Sequence, residues 1–233
     1  MHITLVGGGW DPEYRQSVYG PFVEQVSRRS AEPAVAVVLV DESGESAEVG
    51  ARFTAVVKSL GDVQTRVIGV PVGQLLEVAA LEGCAGLIVG GGLTPAYADA
   101  LAPVAEELRQ WLVSNDVPYL GFSAGAAIAS SHAVVGGWLH GGTPVCPPEA
   151  GEDLEEVAVR DGLGLVDFSV DVHANTWQTT GRLQAALSDL PGQCGYAIDE
   201  DTALVVTGPP EDALISVVGA SRADRYPRTA PTR

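Results

Sequence analysis

The sequence predicts an α/β fold, a mostly parallel β-sheet with helices on both faces. Two observations carry this. Apolar runs alternate with amphipathic stretches through the first half of the chain, the pattern that builds right-handed crossovers and parallel strands. One such run, ending at Phe122, passes at once into a turn of small residues and then into helix-forming composition. A hydrophobic fraction of 46% with only 18% charged residues supplies the core that such a fold needs.

The elements follow in order. Ile3–Val6 reads as a buried strand running into the glycine loop of LVGGGWDP, and Ser17–Arg28 has helical spacing. Ala34–Val40 is a second strand, Glu48–Ser59 a second helix and Val67–Val72 a third strand. Leu87–Val89 is a short strand ending in Gly90, Gly91 and Gly92, ahead of a helix spanning Tyr97–Val113. Val117–Phe122 is the strand that meets Ser123. After Ala129 the pattern changes. Val134–Gly142 is glycine-rich and irregular, and the proline- and acid-rich stretch Pro144–Glu156 reads as an exposed loop. Leu163–Val172 and Gly195–Val206 look like strands, Arg182–Leu190 like a helix between them, and Leu214–Val218 like a last strand. These elements predict one α/β domain over residues 1–220. The arginine- and proline-bearing tail, residues 221–233, reads as disordered.

Composition narrows the partners. The net charge of −17 and pI near 4.4 argue against nucleic acid and against an anionic membrane surface, both of which would repel the chain. Lys58 is the single lysine. Cys84, Cys146 and Cys194 are widely spaced, form no CxxC pair and are odd in number, so no disulfide framework is expected, and Cys84 reads as packing; no histidine–carboxylate cluster has metal-ligand spacing. MHITLVGGGW lacks the basic and long apolar regions of a signal peptide, and no apolar run reaches membrane-spanning length. The expectation is a cytoplasmic monomer or homodimer without cofactor or metal.

The chemistry sits in YLGFSAGAAIA, Tyr119–Ala129. Ser123 lies between Gly121 and Gly125 at a strand–turn–helix junction, where glycines let the backbone bend as a Cβ would not. With 28 glycines and 14 serines in 233 residues, about 0.2 such pentapeptides arise by chance, so it is the context that gives the motif weight. A serine raised off the sheet's carboxyl edge is a candidate nucleophile, and the N–H of Ala124 a candidate oxyanion donor. A second donor is expected from the loop of LIVGGGLTP. Neither glycine loop fits a nucleotide-binding motif, because Pro12 stands where the N-terminal loop would need its third glycine and no P-loop lysine follows Gly92.

A serine needs a base. Of the four histidines, His2 is terminal and His132 and His140 flank irregular sequence. His173, in VDVHANTWQTTGRL, lies at a strand end before a helix and is the candidate base. An orienting carboxylate is available in GYAIDEDTALVV as Asp199, Glu200 or Asp201, with Asp171 as a competitor, and spacing does not choose among them. The order serine, histidine, acid departs from that of the ordinary α/β-hydrolases.

VGGGLTPAYADAL, GFSAGAAIA, DVHANTWQTTGRL and GYAIDEDTALVV together resemble the peptidase E and cyanophycinase family of serine peptidases. The resemblance covers most of the chain. It implies a class I glutamine-amidotransferase-like fold, a flavodoxin-like three-layer sandwich. It implies Ser123 as nucleophile, His173 as base, Glu200 as triad acid, and Gly92 and Ala124 as oxyanion-hole donors. The expected reaction is hydrolysis of a peptide or isopeptide bond in a small peptide through an acyl-enzyme. Two positions depart from the pattern: Leu93 replaces a polar residue, and Trp177 stands near the place of an arginine. Arg182 and Trp177 are therefore the candidate substrate-binding residues. The competing reading is a non-catalytic binding protein that keeps the serine turn. An amidotransferase would need a cysteine at that turn.

Overall fold

A computed structural model describes residues 1–30, 32–42, 44–208 and 212–227. Its first half is β1 (His2–Val6), α1 (Arg15–Ser27), β2 (Ala34–Asp41), α2 (Ser46–Leu60), β3 (Gln64–Pro71), β4 (Gly86–Val89), α3 (Thr94–Leu101), α4 (Ala105–Ser114), β5 (Tyr119–Phe122) and the short α5 (Ala124–Ala127). There follow β6 (His132–Gly136), β7 (Leu139–His140), β8 (Thr143–Pro144), β9 (Ala158–Asp161), β10 (Ser169–Asp171), α6 (Thr180–Ser188), β11 (Gly195–Ile198), β12 (Thr202–Thr207), β13 (Leu214–Gly219) and β14 (Ala223–Tyr226).

The main sheet has seven strands in the order β13-β12-β1-β5-β4-β2-β3. The five from β1 to β3 are mutually parallel, while β12 and β13 run antiparallel at one edge. Both faces of the central strands are buried, which is why Ala34–Val40 reads as a continuous apolar run. Val35, Val37 and Leu39 pack with α1 and α2 through Phe22 and Phe53. Ala36, Val38 and Val40 pack on the opposite face with Tyr97, Leu101 and Leu108 of α3 and α4. The period of two along β2 thus divides one strand between two cores. A three-stranded sheet, β10-β11-β14, extends the second of these layers.

Four expectations are corrected. The helix over Tyr97–Val113 is two helices separated by a 3₁₀ turn at Ala102–Val104, because Pro103 has no N–H to continue the α ladder. Within Leu163–Val172 only Ser169–Asp171 forms a strand. Gly195–Val206 is two strands, parted by a tight turn in which Asp201 takes φ 52°. The tail is also ordered at its start, since Ala223–Tyr226 pairs antiparallel with β11 and Tyr226 packs on the cluster around Leu183. Residues 228–233 of that tail lie outside the described residues. Among the described residues no helix is long and apolar enough to cross a membrane.

Candidate active site

Ser123 sits between β5 and α5 with φ 52° and ψ −112°, a backbone conformation that non-glycine residues rarely adopt. The flanking glycines make it possible. A Cβ on Gly121 would lie 2.3 Å from the Gly125 carbonyl oxygen, and one on Gly125 would lie 2.2 Å from the Val89 carbonyl oxygen. Three attachments hold the bend: the Ser123 N–H donates to Val6 O at 2.9 Å, the Gly125 N–H to Gly90 O at 2.9 Å, and the buried Tyr119 hydroxyl to Gly125 O at 2.7 Å. The serine hydroxyl therefore stands at the carboxyl edge of the parallel strands, where α/β sheets bind ligands.

His173 follows β10, also at positive φ (53°), and its N–H donates to Gly7 O at 2.9 Å. Its Nε2 lies 2.8 Å from Ser123 Oγ and its Nδ1 lies 2.6 Å from Glu200 Oε1. Because an ionised carboxylate only accepts, Nδ1 carries the proton and Nε2 is left to accept from the serine. Burial lowers the pKa of His173 from its ordinary value, against the hydrogen bond and charge of Glu200, which raise it. The lowering favours the neutral ring, the form that can take up a proton. The Trp177 ring stacks on it, centroids 4.0 Å apart and 12° from parallel.

The three adjacent carboxylates after β11 divide their work. Glu200 faces His173. Asp199 is buried and accepts from the Ser221 hydroxyl at 2.6 Å, and Asp201 accepts from the Asp11 N–H at 2.9 Å. Asp171, the other candidate, is fully buried in a two-pronged ion pair with Arg182, at 2.9 Å from Nε and 2.7 Å from Nη2. That pairing corrects the expectation for Arg182. Only 2% of the residue is accessible, and Nη1 donates to the Ala150 carbonyl oxygen, so its guanidinium holds a loop and is closed to a substrate.

On the other side of Ser123, a Cβ on Gly91 would come within 2.8 Å of the serine Cβ, so the glycine loop lies directly against the turn. Among the described residues the N–H groups of Gly91, Gly92 and Ala124 donate to no protein group. The N–H groups that open α3 are taken, that of Leu93 by Glu42 Oε1 at 2.8 Å and that of Thr94 by Glu152 Oε2 at 3.0 Å. Burial raises the Glu152 carboxyl, with the Thr94 N–H pulling the other way.

These groups open into a cleft of about 560 Å³. One wall is Glu42, Gly92 and Leu93; the others are Trp138, Trp177 and the segment from Pro148 to Glu155. The loop read as merely exposed is thus a wall of the cleft, tied down through Ala150 by Arg182. Sequence reasoning did not single out Gly8. Its φ is +111°, and a Cβ there would sit 2.1 Å from His173 Cε1. The run of three glycines after β1, unsuited to a nucleotide, makes room for an imidazole, and that run was the available signal.

The chain matches the model of peptidase family S51 over residues 3–212. It belongs to that family. The family is one of serine-type peptidases, and this chain is a peptidase of that type. Among its relatives are cyanophycinases from Trichormus variabilis, 28% identical over 224 residues, and from Geminocystis herdmanii, 27% identical over 227 residues. Each alignment covers 93% of this chain, and 70% and 77% of the respective relative. A crystal structure from Listeria monocytogenes EGD-e, with a provisional peptidase E assignment, superposes with a TM-score of 0.56 at 16% identity, covering 94% of this chain and 98% of the other. At that identity the likeness carries the fold alone, the class I glutamine-amidotransferase-like sandwich expected for this S51 peptidase.

Proposed function

We propose that this chain hydrolyses a peptide or isopeptide bond in a small peptide through an acyl-enzyme on Ser123. The observation that carries the reading is the unbroken hydrogen-bonded chain from Ser123 Oγ through His173 to Glu200, with spacings of 2.8 and 2.6 Å. His173 Nε2 takes the serine proton as Oγ bonds to the scissile carbonyl carbon. The imidazolium so formed is stabilised by Glu200. It then gives that proton to the leaving nitrogen as the C–N bond breaks. Water repeats the sequence on the acyl-enzyme, with His173 again as base. The turn at Ser123 is a nucleophile elbow in this reading. The N–H groups of Gly92 and Ala124, which donate to no protein group among the described residues, receive the oxyanion. Trp177 shields the imidazole from water and lines the substrate cleft.

A fluorophosphonate probe tests this directly. The wild-type protein is expected to be labelled at Ser123, and Ser123→Ala to be unlabelled with an unchanged circular dichroism spectrum. A folded wild-type protein that takes no label refutes the acyl-enzyme and leaves a binding protein that has kept the turn.

A further inference from the structure

We propose that Tyr97 and Glu42 are positioning residues for the oxyanion: they clamp the two peptides on either side of Gly92 and so aim its N–H at the oxygen of the group under attack. The proposal rests on Ser123 being the nucleophile, and it concerns how one of the two oxyanion donors of that site is held.

Peptide geometry is the first observation. The C=O and N–H of a trans peptide point in opposite directions. The Gly92 N–H shares its peptide with the Gly91 carbonyl, and the Tyr97 hydroxyl donates to that carbonyl oxygen at 3.0 Å. Anchoring the oxygen on one side sends the N–H out on the other, where among the described residues it meets no protein acceptor. The next peptide is caught by its N–H, since that of Leu93 donates to Glu42 Oε1 at 2.8 Å. Tyr97 belongs to α3 and Glu42 follows β2, so the hold comes from two separate elements.

The second observation is why a clamp is needed. Gly91 and Gly92 have no Cβ to bar the peptide between them from turning over. A turned peptide would present the Gly91 carbonyl oxygen to the developing negative charge and repel it. A separate cavity of about 90 Å³ adjoins this loop, lined by Val40, Glu42, Gly91, Gly92 and Tyr97, so close packing does not lock the loop there. The other donor is secured differently. The Ala124 N–H shares its peptide with the Ser123 carbonyl, which accepts from the N–H groups of Ala126 and Ala127 at 2.8 and 3.0 Å. Backbone alone fixes that peptide, whereas at Gly92 side chains take over the task.

The third observation is the fit. A Cβ on Gly92 would lie 2.4 Å from Glu42 Oε1 and 3.1 Å from Tyr97 Cε2, so the glycine is seated between its two holders. Tyr97 is fully buried, and burial raises its phenol above the ordinary pKa, so the hydroxyl keeps the proton that it donates.

A fluorophosphonate reads this position directly. Ser123 Oγ bonds to phosphorus, His173 takes the serine proton, fluoride leaves, and the phosphoryl oxygen occupies the oxyanion site. Second-order labelling rates are measured across pH for the wild type, Tyr97→Phe, Glu42→Ala and Glu42→Gln, with folding followed by circular dichroism. Removing an oxyanion donor outright costs about 10²–10³-fold, so loosening one in Tyr97→Phe or Glu42→Ala should lower the plateau rate about tenfold or more. Glutamine keeps an acceptor oxygen for the Leu93 N–H, so Glu42→Gln should stay within about threefold of the wild type. Neither side chain is among the groups that shift the His173 pKa, so the acid midpoint should be the same in all four proteins. A general loosening of the fold would disturb the serine–histidine pair and move that midpoint as well. A plateau unchanged in Tyr97→Phe or in Glu42→Ala, a loss in Glu42→Gln as large as in Glu42→Ala, or a loss accompanied by a shifted midpoint overturns the proposal and leaves the Ser123 reading standing. Glu42 is exposed, so its two variants decide the matter even should Tyr97→Phe fail to fold. A folded wild-type protein that takes no label refutes the Ser123 reading, and the proposal falls with it.

Discussion

Replacing Glu200 by glutamine keeps the shape of the group facing His173 and removes its charge. In the proposed mechanism His173 takes the serine proton and an imidazolium forms next to that carboxylate, the contacting atoms 2.6 Å apart. Taking the charge centres as about 4 Å apart and an effective dielectric near 20, the attraction is about 4 kcal/mol. The Glu200 side chain is 30% accessible, so water screens part of this and about 2–3 kcal/mol remains. Glu200→Gln should therefore lower kcat roughly 30- to 150-fold. It should also move the acid limb of the pH profile. Burial already lowers the His173 pKa from its ordinary 6.5, and Glu200 pulls it back up. With neutral imidazole as the proposed base, wild-type kcat/KM is expected to fall as pH drops through a value below the ordinary 6.5. Without Glu200 the pKa falls further and the limb shifts to still lower pH. Asp199→Asn is the control. Its carboxylate is bonded to Ser221, and kcat should stay within about threefold. Steady-state kinetics across the acid range, with folding checked by circular dichroism, decide the matter. A loss in Asp199→Asn as large as that in Glu200→Gln, or an acid limb that moves upward in Glu200→Gln, would refute the assignment.

Two further substitutions test the scaffold. Gly8→Ala sets a methyl 2.1 Å from His173 Cε1 at φ +111°, so the ring must move; a displacement near 1 Å should cost about 100-fold in kcat, and near-wild-type turnover would show that the ring has other room. Arg182→Ala strands the buried Asp171 carboxylate and frees the Ala150 carbonyl. A loss of about 3–5 kcal/mol is expected, lowering the melting temperature by about 10 °C or more. An unchanged melting temperature with a raised KM would instead return Arg182 to a substrate-binding role.

What the sequence disclosed follows from how local each cause is. Buried parallel strands announce themselves because both faces must be apolar, and the Ser123 turn does so through Gly121, which answers to the Gly125 backbone four residues on, although Gly125 itself answers to Val89, far back in the chain. Pro103 should have divided its helix on local grounds alone. The carboxylate facing His173 was another matter. Asp199, Glu200 and Asp201 differ only in direction around a turn, and the family resemblance, not the spacing, chose Glu200. Gly8 was passed over and Arg182 was read as substrate-binding for one shared reason. Each is explained by a partner remote in sequence, the imidazole of His173 for one and the carboxylate and loop carbonyl of Asp171 and Ala150 for the other. The acidic loop from Pro148 to Glu155 has the composition of a solvated segment. Its attachments, from Arg182 to the Ala150 carbonyl and from the Thr94 N–H to Glu152, hold it beside the serine.

Backbone strain in this molecule follows the site more closely than the fold. Among the described residues, seven that are not glycine have positive φ: Asp116, Ser123, Glu152, Asp153, His173, Gln178 and Asp201. Ser123, Glu152 and Asp153 line the cleft, His173 bonds to the serine, Gln178 adjoins Trp177, and Asp201 adjoins Glu200. Each such conformation costs on the order of 1–3 kcal/mol and persists only where its surroundings leave no relaxed alternative. At Ser123 the surroundings are the Val6, Gly90 and Tyr119 contacts, and at His173 they are the Gly7 carbonyl and the bare face of Gly8. Relaxing either residue would swing its side chain out of a hydrogen-bonded chain whose spacings leave no slack. The core packed on both faces of the sheet therefore does more than stabilise the fold, because it holds two backbone bends in the one arrangement that brings hydroxyl, imidazole and carboxylate into line.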